Sequence, residues 1–323
     1  MSKTYKSKIK IAGTERFYQS HKAQLNQAYD EIQSSGNLVD SKYCKSVETK
    51  LKKITGRKHA RLFTSGTSAI QVALLSWNMI DKQVACSNYS FIASANQAAL
   101  LNNVEFFDVD KRGLMDIKQK FQHDLVIPVS LYGNMIDYDK IQIGPGTKVI
   151  VDSAQSLGSK YKGRNEGFFG DASVFSFASN KPIPTAGTHG ALVWDDDGMS
   201  DKIKAVSING KLHRNGPILT YGINAKPFEL QACQIDIGLD YLDKWQLKRE
   251  QIYEYYKKEF INLPLDIIDA PDYCKSNFPK FAMLSNRRDS LMNYLNDNHI
   301  EALMHYTDNF AHFFWFYKVI SGH

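Results

Sequence analysis

The chain has 323 residues, 43% of them hydrophobic and 23% charged, with a formal net charge of +6, the profile of an ordinary soluble globular protein able to build one large and one small domain. No run approaches the roughly 18 uninterrupted apolar residues of a membrane span, and the lysine-rich residues 1–10 lack the apolar core of a signal peptide. Lysines cluster only mildly, at 1–10 and 52–58, with no basic stripe and interleaved aromatics of the kind that binds nucleic acid.

A modest positive surface can instead attract an anionic, phosphate-bearing substrate. Cys44, Cys86, Cys233 and Cys274 lie far apart with no C-x-x-C pair. They read as reduced thiols in a cytoplasmic protein, without a metal site.

In chain order, residues 23–34 and 42–54 have helical periodicity. A strand through Arg61 leads into the apolar helix that follows Gly66-Thr67-Ser68. Short buried strands are predicted at 84–87, 104–108, 125–129, Lys148–Asp152, 173–177 and 191–194, several separated by helical stretches. Such alternation predicts an α/β fold with a mainly parallel mixed sheet between helices. Residues 228–242 are apolar at helical spacing and run into a charged helix over 244–260. The boundary falls there, giving a large domain over 1–242 and a small α+β domain over 243–323. The small domain is expected to hold a strand near 278–283 and a helix over 287–298. The aromatic tail 313–323 reads as a last packed helix or as an oligomer surface.

Three features sit at predicted strand ends. Ser65-Gly66-Thr67-Ser68 opens a helix, Asp152 closes the strand Lys148–Asp152, and Ser176-Phe-Ala-Ser-Asn-Lys181 delivers a lysine into a loop. In open α/β sheets, ligands collect at the carboxyl ends of the strands. Pyridoxal phosphate (PLP) needs a primary amine for its Schiff base, an anion facing the pyridine nitrogen, and N–H donors for its phosphate. Lys181, Asp152 and the Gly66–Thr67 turn are the matching groups, the last because helix N-termini favour phosphate. Each also has a plain structural reading: a helix N-cap for Gly-Thr-Ser, a turn residue for Asp152, a solvated surface group for Lys181.

In order along residues 30 to 308, the chain also carries Ser87-Asn-Tyr-Ser-Phe91-Ile-Ala-Ser-Ala-Asn96, Val129-Ser-Leu-Tyr-Gly133, Val151-Asp152-Ser-Ala-Gln155, Gly222-Ile-Asn224, Glu229-Leu-Gln-Ala232 and Met304-His305-Tyr306. With the lysine and phosphate motifs, these segments resemble the DegT-type nucleotide-sugar aminotransferases, a branch of the fold-type I PLP enzymes. The resemblance implies that Phe91 stacks on the cofactor ring and that Gln155 sits near its phenolic oxygen. It implies that Gly66, Thr67 and Ser176 hold the phosphate, with Asn224 reaching it from the partner subunit of a homodimer with shared sites. His305 and Tyr306 would be the substrate-side pair. On residue type alone, Phe91 is equally a packing residue, His305 a hydrogen-bonded structural histidine, and Asn224 a turn residue.

The implied reaction moves an amino group from glutamate or glutamine to a nucleotide-linked ketosugar. Lys181 would be the catalytic base and Asp152 would keep the ring nitrogen protonated. Two other readings stand beside it: a PLP-dependent sugar deoxygenase or dehydratase, and a non-catalytic or regulatory relative. In the deoxygenase branch the lysine position becomes histidine, so Lys181 speaks against that branch. Departures from the family pattern fall at Ser130 and Ala178, both usually histidine, at 182–190, and at Ala225-Lys226. Relatives also usually continue for some tens of residues beyond the His-Tyr pair.

Overall fold

The computed structural model describes residues 9–213 and 215–306. The aromatic tail 313–323 lies outside the described residues.

Helix α1 (Thr14–Ser35) begins earlier than its predicted start at residue 23, because its apolar stripe begins earlier. Phe17, His21, Leu25, Ala28 and Ile32 recur at steps of three and four and are buried on one face. Helix α2 (Lys42–Thr55) buries Cys44, Val47, Leu51 and Thr55 in the same way. Its first turn is closed from a distance. The buried carboxylate of Glu229 accepts hydrogen bonds from the backbone N–H groups of Ser41, Tyr43 and Cys44 at 2.7–3.1 Å. A side chain far along the chain thus fills the role that an N-cap residue usually plays.

Seven strands form one sheet in the order His59–Phe63, Gly190–Trp194, Ala172–Ser176, Lys148–Asp152, Leu125–Ile127, Gln83–Ser87, Asn103–Phe107. Gly190–Trp194 is antiparallel to both neighbours, and the remaining pairs are parallel. The predicted strand over 125–129 stops at Ile127 because Pro128 has no N–H to donate; Val129 makes only an isolated bridge to Asp152.

Alternate side chains enter opposite layers. Ile150, Val174 and Leu192 pack with Ile70 and Leu74 of helix α3 (Gly66–Ser76). Ala191, Val193 and Phe175 face Val47 and Leu51 of α2 and Ile235 of α6 (Glu229–Asp240). Further along the sheet, Val149, Val151 and Val126 pack on Phe107 and Phe121. Each of these buried aliphatic side chains contributes about 2 kcal/mol of transfer free energy, so the sheet is held rigidly between two helical layers.

Beyond α7 (Leu242–Glu259) the elements are small. Asp266–Ile267 pairs antiparallel with Met283–Leu284, and Cys274–Lys275 pairs with Lys160–Tyr161 of the larger part. The strand predicted near 278–283 is therefore reduced to its last residue and Leu284. Phe278 adopts a left-handed φ of 51°, its N–H is taken by Ser276 Oγ, and Pro279 cannot join a ladder. Helix Arg288–Asp297 follows, and Ile300 then bridges back to Ile9. Among the described residues no helix is long and apolar enough to cross a membrane, and all four cysteines are buried free thiols.

The parallel strands end on one edge of the sheet. Ser87, Ile127, Asp152 and Ser176 therefore release their loops on the same side. Phe63 joins them, because two antiparallel pairings in succession restore its direction.

Candidate active site

Five loops meet at that edge. Gly66 begins α3, and the N-cap Ser65 spends its hydroxyl on the Ser68 N–H at 3.0 Å. Helix geometry leaves the N–H groups of Gly66 and Thr67 without intrahelical partners, as an anion-binding turn requires. Ser176 is packed directly against this turn: a Cβ added at Gly66 would lie 3.2 Å from Ser176 Cβ and 3.5 Å from its Oγ. Gly190 is more tightly constrained, since its Cβ would fall 2.3 Å from the Gly66 nitrogen. The two glycines let three backbones converge where Gly66, Thr67 and Ser176 meet.

Asp152 closes its strand, 5% exposed. Its carboxylate accepts a short hydrogen bond from Ser94 Oγ on helix α4 (Ala93–Ala99) and another from the Ala154 N–H at 3.0 Å. It lies opposite Val174 in the parallel register, so the chain that leaves at Ser176 toward Lys181 starts from the neighbouring strand. Lys181 is partly buried, and its backbone N–H donates to Ala178 O at 2.9 Å. Burial pushes its ammonium below the ordinary lysine value, while the charge of Asp152 pulls the other way. The pair is therefore within electrostatic reach.

Gln155, also 5% exposed, is held at both ends. Its Oε1 accepts from the Tyr132 N–H at 3.2 Å, and its Nε2 donates to Tyr306 Oη at 3.1 Å. Tyr306 stands edge-on to Tyr89 at 5.6 Å between ring centroids, and Phe91 lies 6.4 Å from it. Phe91 is 55% exposed, so it is not a core packing residue. His305 Nε2 sits 3.1 Å from Lys280 Nζ. Burial, then the nearby charges of Lys280 and Lys181, push this imidazole down to about 4, so it is neutral at physiological pH and accepts a hydrogen bond from the lysine ammonium.

Asn224 is placed elsewhere. It is exposed and bridges Ile208, and among the described residues no hydrogen bond joins its side chain to the group around Lys181. Ser130, the position of an expected histidine, donates to Glu166 Oε1 at 2.9 Å. Ser153 and Tyr138 also donate to this buried acid, so the departure is absorbed in a closed network behind Asp152. Burial raises the carboxyl of Glu166, and these hydroxyls oppose that shift.

Several contributors were not singled out in the sequence: Ser94, Tyr89, Tyr132 and Lys280. Tyr89, Ser94 and Tyr132 lie inside recognised motifs. Tyr132 turns with a φ of 55° and donates its hydroxyl to His305 O at 3.3 Å. Lys280 carries no local signal, since what marks it is a partner on another element.

Residues 19–319 match the DegT/DnrJ/EryC1/StrS aminotransferase family model. The chain belongs to that family. Among its relatives, the UDP-4-amino-4,6-dideoxy-N-acetyl-beta-L-altrosamine transaminase of Campylobacter jejuni is 30% identical over 318 residues, spanning 91% of this chain and 81% of that protein. A pleiotropic regulatory protein of Geobacillus stearothermophilus is 24% identical, over 90% of this chain and 81% of its own. A DegT DnrJ EryC1 StrS aminotransferase from Brucella abortus superposes with a TM-score of 0.85 at 23% identity, covering 93% of this chain and 85% of that one. This DegT-family chain therefore shares the family fold over most of its length.

Proposed function

We propose that this protein is a PLP-dependent aminotransferase that moves an amino group from glutamate or glutamine onto a nucleotide-linked ketosugar. The observation that carries the reading is the meeting of Lys181, Asp152 and the Gly66–Ser176 contact at one sheet edge. The residues fit the cofactor: two free helix N–H groups and a serine for a phosphate, a buried carboxylate for a ring nitrogen, and a desolvated amine for an aldehyde. The printed activity of the Campylobacter relative supports a nucleotide-sugar substrate.

Bound here, the cofactor would supply an electrophilic carbon for the amino group and a ring that accepts electrons. The chain's own residues do the rest. Lys181 Nζ, its charge disfavoured by burial, is suited to attach covalently. As a free amine it would be the group able to take a proton from the amino-bearing carbon and return it. Asp152, oriented by Ser94 and the Ala154 N–H, would hold a proton on the ring nitrogen through its negative charge. Gln155 and Tyr306 bound one side of the site, Phe91 offers a ring face, and His305 presents a neutral imidazole toward substrate.

A homodimer with shared sites belongs to the same reading. Asn224 is exposed and follows closely in the chain on Ile218, Leu219 and Tyr221, whose side chains are 74%, 57% and 81% accessible. An apolar strip of this kind favours a partner surface, and Asn224 would enter the neighbour's site from it.

Borohydride reduction of the PLP-loaded protein, followed by peptide mapping, tests the reading. The cofactor should be fixed to the peptide that contains Lys181, and labelling of any other lysine would refute the assignment.

A further inference from the structure

Lys280 has a place in the site that the motifs do not explain. It lies in the loop between Cys274–Lys275 and Met283–Leu284, brought to the sheet edge by the C-terminal part. Its Nζ donates to His305 Nε2 at 3.1 Å. Among the described residues it forms no ion pair with a carboxylate, although 16 other lysine– or arginine–carboxylate pairs are present. Burial, and then the charge of Lys181, push its ammonium down to about 8. A partly buried cation without a carboxylate partner is costly unless an anion completes it. A neutral histidine fills one of its three donor positions, and the other two remain for a ligand.

Resting on the aminotransferase reading above, we propose that Lys280 holds the carboxylate of the amino-acid donor beside Lys181, with His305 aiming its ammonium. Two anions are candidates, the donor carboxylate and the diphosphate of the nucleotide sugar. Position separates them. Lys181 marks the reacting carbon, and Lys280 is tied to the same sheet edge by a chain of hydrogen bonds through His305, Tyr132 and Gln155 at 3.1–3.3 Å. The α-carboxylate of an amino acid is one bond from that carbon, whereas the diphosphate is held away by the sugar ring. His305 is the acceptor that keeps Lys280 pointed inward. Its own carbonyl is tied by Tyr132 Oη at 3.3 Å, and its ring packs on Tyr306 at 5.0 Å. Lys280 is thus a specificity residue for the donor, and His305 positions it.

The experiment compares Lys280→Met and Lys280→Arg with the wild-type PLP-loaded protein. The visible absorbance of bound cofactor is followed after mixing with L-glutamate, or with methoxyamine, an amine that carries no carboxylate. UDP binding is measured by calorimetry in parallel. In Lys280→Met, the second-order rate constant for glutamate should fall on the order of 100-fold, the size expected when one member of a desolvated charge pair is removed. Methoxyamine should react within about twofold of wild type, as expected when the uncharged part of the site is intact, and UDP affinity should be unchanged. Lys280→Arg should recover much of the glutamate rate.

Unchanged glutamate kinetics in Lys280→Met would overturn the proposal. So would weakened UDP binding with intact glutamate kinetics, which would assign the cation to the diphosphate. Equal losses with glutamate and methoxyamine would mark a structural role and also overturn it. Should Lys280→Met fail to take up cofactor, Lys280→Gln is measured by the same criteria. A wild-type protein that takes up no cofactor would instead refute the underlying reading, and this assignment with it.

Discussion

The side-chain amide of Gln155 donates to the hydroxyl of Tyr306 at 3.1 Å, across 151 positions of sequence. Gln155 leaves the end of a central strand, and Tyr306 arrives after the helix Arg288–Asp297. This bond therefore ties the C-terminal part to the sheet edge where Asp152 and Lys181 stand. Burial raises the phenol of Tyr306, so it remains protonated throughout the working pH range. Tyr306→Phe should keep the ring contacts with Tyr89 and lose the bond. About 1 kcal/mol of stability should go with it, together with a rise in substrate KM that exceeds any fall in kcat. Urea unfolding and steady-state kinetics check both, and an unchanged KM would remove Tyr306 from the substrate side.

Asp152→Asn preserves the shape of the strand end and both of its hydrogen-bond partners. It removes the charge proposed to keep a proton on the ring nitrogen. The rate of amino transfer should fall about 100-fold or more, the scale of losing one preorganised electrostatic group. PLP affinity, measured by titration of its absorbance, should change far less. Wild-type turnover in Asp152→Asn is incompatible with the proposed role.

Shared sites make a complementation prediction. Lys181→Ala and Asn224→Ala should each be inactive or nearly so. When they exchange subunits, a two-fold symmetric heterodimer gathers both lesions in one site and leaves the other intact. An equal mixture at exchange equilibrium should regain about a quarter of wild-type activity, because half the dimers carry one good site. Sedimentation must show the dimer. Demonstrated exchange without recovery would exclude Asn224 as a residue given in trans.

His189 supplies a pH prediction. Its ring bonds the Thr188 carbonyl through Nδ1 and accepts the Phe228 N–H at Nε2, 3.1 Å away, so it serves the fold as a neutral imidazole. Burial lowers its folded value below the ordinary histidine value of about 6.5. As pH falls through that value, the unfolded chain binds a proton that the folded chain refuses. Stability is therefore full above neutrality and declines toward pH 5, about one proton's worth for this group. His189→Gln, which can keep a donor and an acceptor, should flatten the slope of unfolding free energy against pH over that interval. An unchanged slope would show that His189 does not contribute.

The sequence by itself determined the parts of this protein governed by local chemistry. Apolar runs bounded by turn residues marked the sheet strands because buried parallel strands need both faces apolar. Asp152, Lys181 and the Gly66–Thr67 turn could be named because each lies just beyond such a run. Two local details were misread for local reasons: the proline after Ile127 shortened one strand, and Phe278-Pro279 replaced most of another with a loop. Only the tertiary structure decided the long-range pairings. Ser94 with Asp152, Gln155 with Tyr306, and Lys280 with His305 join residues on separate elements. Hydrogen-bond distance is reached there through strand order and loop closure, and no periodicity in the chain encodes it. The same holds for Glu229, which caps α2 from 185 or more positions away. Side-chain type sets what a residue can do, and the packing of the sheet between its helices sets which other residue it does it with.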